Sequence, residues 1–159
     1  MIRLAVAEEL PRIMEVFDAG RAFMRANGND AQWIKGYPQQ EMLLDDIKAG
    51  TLHVMEEDGR ICGCFVLAGG PDPTYSEITG GNWGADTPYG VIHRIASDGT
   101  THGVLAKAVD FAAQRFNHLR VDTHEKNIPM QGALGKQGFT CRGTIFTHDG
   151  TPRLAFDRF

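Results

Sequence analysis

The chain has 159 residues and a mass of 17.5 kDa, and its 42% hydrophobic and 23% charged residues exclude a disordered polypeptide. Glycine is the outlier, 19 residues with no G-X-Y period and only 7 prolines, which excludes collagen; ten of the nineteen lie between Gly59 and Gly103. A formal charge of -4 without a Lys/Arg cluster argues against a nucleic-acid partner, and no apolar run approaches the ~20 residues of a membrane span. Three cysteines, an odd number, and the lack of a signal-peptide layout fit a reducing cytoplasm.

Ile2 to Val6 reads as a short strand, with Ile2, Leu4 and Val6 alternating against Arg3 and Ala5. A helix follows from about Glu8, striped by Leu10, Ile13, Met14, Phe17 and Phe23, and Gly28 closes that region. Pro38 opens a second helix with Met42, Leu43 and Ile47 on one face and Gly50 just past its end. The period then switches to two. Thr51 to Glu57 and Arg60 to Ala68 are strands joined at Asp58-Gly59, a dipeptide that favours a type I′ hairpin turn. The returning strand is apolar or small on both faces, which predicts a central place in the sheet. Gly69 to Tyr89 holds five glycines and three prolines and reads as a long irregular loop, usually a lid or binding loop in a compact domain. Tyr89 to Ala96 is a third long strand, leading through Ser97 to His102 into a helix from Gly103 to about Phe116. Val104, Leu105, Ala108, Val109 and Ala112 stripe that helix. His118 to His124 is a strand and Asn127 to Gln137 a short helix. Strands over Phe139 to Phe146 and Thr151 to Phe156 are separated by a second hairpin signal, Asp149-Gly150. The 159 residues, without repeat or linker, make a single domain of mixed α/β class in the order β-α-α-β-β-β-α-β-α-β-β. A flavodoxin-type nucleotide-binding domain would show more regular βα alternation.

The strongest functional signal is the strand, Gly/Thr/His loop and helix across Val91 to Phe111. A helix start offers unpaired N–H groups and a positive dipole end, and together these bind phosphates. Gly99 and Gly103 would let the backbone approach a ligand. The competing reading is a plain β-to-α connection with Thr100 or Thr101 as N-cap.

The element order and several local strings resemble the GNAT superfamily of acyl-CoA-dependent N-acyltransferases. The strings are Met1-Ile2-Arg3-Leu4-Ala5, Gln32-Trp33, Gly36-Tyr37-Pro38, Val91-Ile92-His93-Arg94-Ile95-Ala96, Arg120-Val121-Asp122-Thr123-His124, Asn127, Met130 and Lys136-Gln137-Gly138-Phe139. The resemblance implies a twisted mixed sheet flanked by helices, and attack of an amine on the thioester of acetyl-CoA. It implies that Thr100, Thr101, His102, Gly103, Val104 and Leu105 surround the coenzyme pyrophosphate, and that Ile95 and Ala96 offer backbone groups to the pantetheine and the thioester oxygen. Asn127, Met130 and Lys136 fall where the family contacts the coenzyme arm; Asn127 reads equally well as a helix N-cap. The family's loop pattern is Gln/Arg, two residues, Gly, one residue, Gly/Ala. Aligned on Gly103, this chain has Thr100 and Leu105 at the flanking positions. The family's usual proton-donating tyrosine is replaced by Leu134.

An amine with a pKa near 10.4 is almost wholly protonated at physiological pH, so a general base would help. No carboxylate lies between Tyr89 and Ala96. The candidates are His93, Asp122 and His124, with Glu77 from the loop. Asp122 and His124, two apart on a predicted strand, would share a face, and a histidine's ordinary pKa suits the task. Asp122 reads alternatively as an ion-pair partner of Arg94, and the histidines as polar packing. Trp33, Tyr37, Tyr75 and Trp83, aromatics in predicted loops, are candidate walls of the acceptor pocket, with Glu77 beside them. Cys62 and Cys64 would share one strand face as small buried hydrophobes. The six histidines lack tight zinc spacing, so no metal site is expected. The expected function is transfer of an acetyl group from acetyl-CoA to a primary amine of a small molecule or peptide, in a ternary complex. The alternative is a GNAT-like acyl-CoA sensor without turnover. Leu154, Phe156 and Phe159 would supply a homodimer edge.

Overall fold

Apolar residues on both faces of the strands require cover on both sides, and the helices supply it. The computed structural model describes residues 1–159 and runs β1 (Ile2–Leu4), α1 (Leu10–Ala26), α2 (Gln40–Lys48), β2 (Leu52–Glu57), β3 (Arg60–Gly69), β4 (Gly90–Ser97), α3 (Val104–Ala113), β5 (Leu119–Thr123), α4 (Ile128–Lys136), β6 (Thr140–Phe146) and β7 (Pro152–Arg158). Short 3₁₀ turns occupy Ala7–Glu9 and Pro73–Tyr75. The predicted order of strands and α-helices is the observed one. One seven-stranded sheet runs β1-β2-β3-β4-β5-β7-β6, antiparallel throughout except for the parallel pair β4 and β5.

On one face α1 and α2 bring Ile13, Val16, Phe17 and Leu43 against Leu52, Val54, Cys64 and Val66. On the other, α3 brings Val104, Ala108, Val109 and Ala112 against Phe65, Leu67, Ile92 and Val121, with Leu134 of α4 beside them. Each such large side chain, fully buried, contributes about 1.5–3 kcal/mol. Gly20 is needed where α1 crosses β4: a Cβ there would stand 3.1 Å from that of Ala96.

Several boundaries differ from the sequence reading for local reasons. β1 ends at Leu4, and Phe23 of α1 is 56% exposed instead of joining the core stripe. Pro38 precedes α2, whose N-cap is Gln39. The largest departures are bulges. Glu56 faces Ile61 and Met55 faces Gly63, so Cys62 is an extra residue in β3. The face alternation slips there, and Cys62 joins the α3-side core while Cys64 joins the α1-side core. The two cysteines therefore do not share a face. β7 lies between β5 and β6 and is not an edge, and Phe156 is buried in the core, so the expected dimer edge of Leu154 and Phe156 is absent. No helix is long and apolar enough to cross a membrane.

β4 and β5 pair only at Gly90 with Leu119 and at Val91 with Arg120. Beyond that the two strands part, and the gap between them positions the site.

Candidate active site

A cleft of about 880 Å³ opens where β4 and β5 part. Its walls come from the α1–α2 connection (Trp33, Tyr37), the loop after β3 (Asp72, Thr74), β4 (His93, Arg94, Ile95), β5 (Asp122), α4 (Met130), the β6–β7 turn (His148) and β7 (Arg153). A second bulge shapes the β4 wall. Cys64 faces Ala96 and Val66 faces His93, so Arg94 and Ile95 together oppose the single residue Phe65. Arg94 sits at φ 47°, a left-handed conformation that a bulky residue rarely adopts. Its side chain secures it: Nε and Nη2 each donate to Asp46 at 2.9 Å and Nη1 to the Tyr37 hydroxyl at 3.1 Å. Burial opposes the Arg94 charge, but Tyr37 and Asp46 prevail and its pKa is raised.

His93 meets Asp72 across the cleft wall, Nε2 to Oδ2 at 2.9 Å. Burial pushes the Asp72 carboxyl up, yet hydrogen bonds from His93 and from the Thr74 hydroxyl and N–H outweigh it and hold the group below the usual aspartate range. An ionised carboxylate can only accept, so Nε2 is the donor to Asp72 and Nδ1 is the ring nitrogen left to exchange a proton. That is the arrangement of an oriented base. Beside it, the wholly buried Tyr75 donates its hydroxyl to Asp122 Oδ2 at 2.7 Å. Burial and the Asp122 charge raise the Tyr75 pKa well above normal, so the phenol stays protonated.

At the far end of β4 the chain turns into α3 through Gly103, whose φ of 74° favours glycine. No side chain caps α3. Asp98 instead turns back on the Thr100 N–H and hydroxyl at 2.9 and 2.6 Å, with Arg12 and Arg60 on its other oxygen. Thr101 donates to Glu57, which also pairs with Lys107. The threonines are thus spent on the loop's own shape, and the first-turn amides of α3 are left without a side-chain acceptor.

No model of a known family and no curated protein matches the chain in sequence. A solved GNAT-family acetyltransferase from Streptococcus agalactiae is 33% identical over 100% of this chain and 94% of its own, with a TM-score of 0.88. The chain belongs to the GNAT family of acetyltransferases. A GNAT-family acetyltransferase from Listeria monocytogenes shares the fold at 16% identity, covering 99% of this chain and 93% of its own, with a TM-score of 0.71. N-acetylglutamate synthase from Neisseria gonorrhoeae, solved with coenzyme A and N-acetyl-glutamate, does so at 16% identity and a TM-score of 0.59, over 99% of this chain and 34% of its own. The Streptococcus agalactiae likeness supports acyltransferase chemistry; the other two show the fold alone.

The GNAT fold brings only some of the predicted residues together. His93, Ile95, Asp122, Met130, Trp33 and Tyr37 line the cleft. Ala96 is buried beneath it, against α1. His124 does not line it: β5 ends at Thr123, so strand alternation does not reach His124, and its Nδ1 accepts the Lys126 N–H at 3.0 Å. Asp122 binds Tyr75, and Arg94 goes to Asp46. Tyr75 and Trp83 are not walls but a small core with Val91, Ile145 and Ala155, and Glu77 lies exposed outside the cleft. Trp83 and Tyr89 sandwich the Arg120 guanidinium at 4.1 and 4.0 Å. Asn127 caps α4, accepting the Met130 N–H at 3.2 Å while donating to Gln32. Thr100, His102, Gly103 and Lys136 are exposed, Thr101 and Leu105 half-buried, and Val104 packs into the core. Leu134 is fully buried in that core. Asp72, Asp46 and Arg153 were missed. Asp72 carried a readable signal, an Asp before Pro and Thr that caps the Pro73 turn.

Proposed function

We propose that the chain is an acetyl-CoA-dependent N-acetyltransferase acting on a primary amine of a small molecule or peptide by direct attack in a ternary complex. The observation that carries this reading is the His93–Asp72 pair facing a cleft between parted β4 and β5, with an uncapped helix start at the end of the same β4. The donors fit a coenzyme pyrophosphate. Amides from Thr101 to Leu105 around a positive-φ glycine supply N–H groups and the positive end of the α3 dipole. Thr100 opens that loop and His102 lies within it, while Met130 lines the cleft along which the coenzyme arm would run. Coenzyme A in the Neisseria gonorrhoeae neighbour supports the same choice.

Acetyl-CoA supplies the acetyl group as a thioester. His93 Nδ1 takes the proton that the amine must lose, and Asp72 fixes the ring and offsets the imidazolium charge. Asp122, one oxygen held by Tyr75, attracts the incoming ammonium. Backbone groups of the bulge at Ile95 and of Ala96 serve as donors where negative charge develops on the acyl oxygen. Calorimetric titration with acetyl-CoA, followed by thiol-release assays over a panel of amines, tests this. Coenzyme binding with turnover supports it. Binding without turnover on a broad panel would favour an acyl-CoA sensor, and no binding at high micromolar coenzyme sinks both.

A further inference from the structure

Two arginine side chains are buried without a carboxylate partner, Arg120 and Arg153. A buried guanidinium needs compensation. Arg120 has most of it, against the Trp83 and Tyr89 rings and through Nη2 donating to the Ala85 carbonyl at 3.0 Å, with only Nε left unpaired. Arg153 does not. It is 9% exposed, lines the cleft, and donates only to the Pro152 carbonyl at 3.1 Å and the Gln32 carbonyl at 3.5 Å. Five N–H donors in a planar fork are therefore mostly unspent. Burial lowers its pKa, and the more distant Asp122, Asp149 and Tyr37 do not make up the loss.

Its position says which molecule it serves. Leu154 and Phe156 pack toward α3, so strand alternation turns Arg153 to the opposite face, away from the α3 start. Asp122 pairs with Ala155, which puts Arg153 diagonally across from Asp122 on one face, about 7–8 Å away along such a diagonal. A negative and a positive group thus line the same cleft as His93, both on its β5–β7 side. We propose that the acceptor is an amine that also carries a carboxylate, gripped by the Arg153 fork at its carboxylate and by Asp122 at its ammonium. The proposal rests on the N-acetyltransferase reading and narrows its substrate class.

The test uses matched acceptors, each free amino acid beside its carboxamide and its decarboxylated amine, with acetyl-CoA calorimetry on every protein. The wild type favours the acids by tenfold or more in kcat/KM, mainly through KM. Arg153→Met raises KM for the acids until the preference disappears, leaves coenzyme affinity unchanged, and holds or raises Tm because a buried unpaired charge is gone. Arg153→Lys keeps part of the preference. Equal use of acids and amides by the wild type overturns the proposal. So does a preference that survives Arg153→Met, or coenzyme binding with no acid acetylated. Failure to bind acetyl-CoA at all would instead overturn the acetyltransferase reading, and this inference with it.

Discussion

His93 and Asp72 are 21 residues apart and meet because the loop after β3 folds back over β4. The division of labour between them is chemical. The imidazole carries the nitrogen that exchanges the proton, and the carboxylate fixes which nitrogen that is. His93→Gln should therefore lower kcat by roughly 10²–10⁴, the usual worth of a general base, with KM for acetyl-CoA near wild type. Asp72→Asn removes the counter-charge and the tautomer control but not the base. It should lower kcat less than His93→Gln does, with Tm near wild type. An Asp72 that only braces the loop would lower Tm and leave kcat in place. Arg94 shows the complementary case of a charged cleft residue already spent, since both ends of its fork are held by Asp46 and Tyr37.

The long loop is fastened to the sheet by Asp157 of β7, which is 0% exposed and accepts the Gly84 N–H at 2.8 Å, His118 Nε2 at 2.9 Å and Arg142 Nε at 2.7 Å. Asp157→Ala strands a histidine and an arginine and should cost about 3–5 kcal/mol in denaturant unfolding. Burial pushes the Asp157 carboxyl up, but the bonds from Arg142, His118 and Gly84 prevail and lower it; Asp72 is lowered too. The pKa falls on folding, so these groups stabilise the fold at pH values above the ordinary aspartate value of about 3.9. That stability should drain away as pH drops below it toward the folded values, and wild-type unfolding midpoints should be steeper in acid than those of Asp157→Asn. At this scale the sequence was readable wherever periodicity alone decides, as in the α3 stripe or the β2–β3 hairpin. It misled where one inserted residue flips a strand's faces, at Cys62 and at Arg94–Ile95, because a bulge leaves no compositional mark. It misled again at Tyr75 and Trp83, loop aromatics that pack into a small core of their own rather than wall the cleft. Arg153 could be placed on a strand but not assigned a role, since its meaning lies in the partner it lacks.

The whole molecule is a sheet in two halves, β1–β4 and β5–β7, joined by two residue pairs and bridged by the helices. A co-substrate lying in the gap between the halves, its phosphates at the start of α3, would bind the native arrangement and not the unfolded chain. Linkage then fixes the size of the effect. Coenzyme at 100 times its Kd adds about 2.7 kcal/mol, which in a chain of this length raises Tm by roughly 5–10 °C. The gain should fall on the junction, so hydrogen exchange slowed by acetyl-CoA should concentrate in residues 101–106 and along β4, and spare β1 and β2. Gly103→Val provides the control, because φ 74° at that position costs a β-branched residue about 1–2 kcal/mol and misdirects the N–H groups beside it. This variant should begin at a lower Tm and gain less from the same coenzyme concentration. A Tm unmoved by millimolar acetyl-CoA would mean that the gap between β4 and β5 does not hold the coenzyme, whatever the fold's relatives do there.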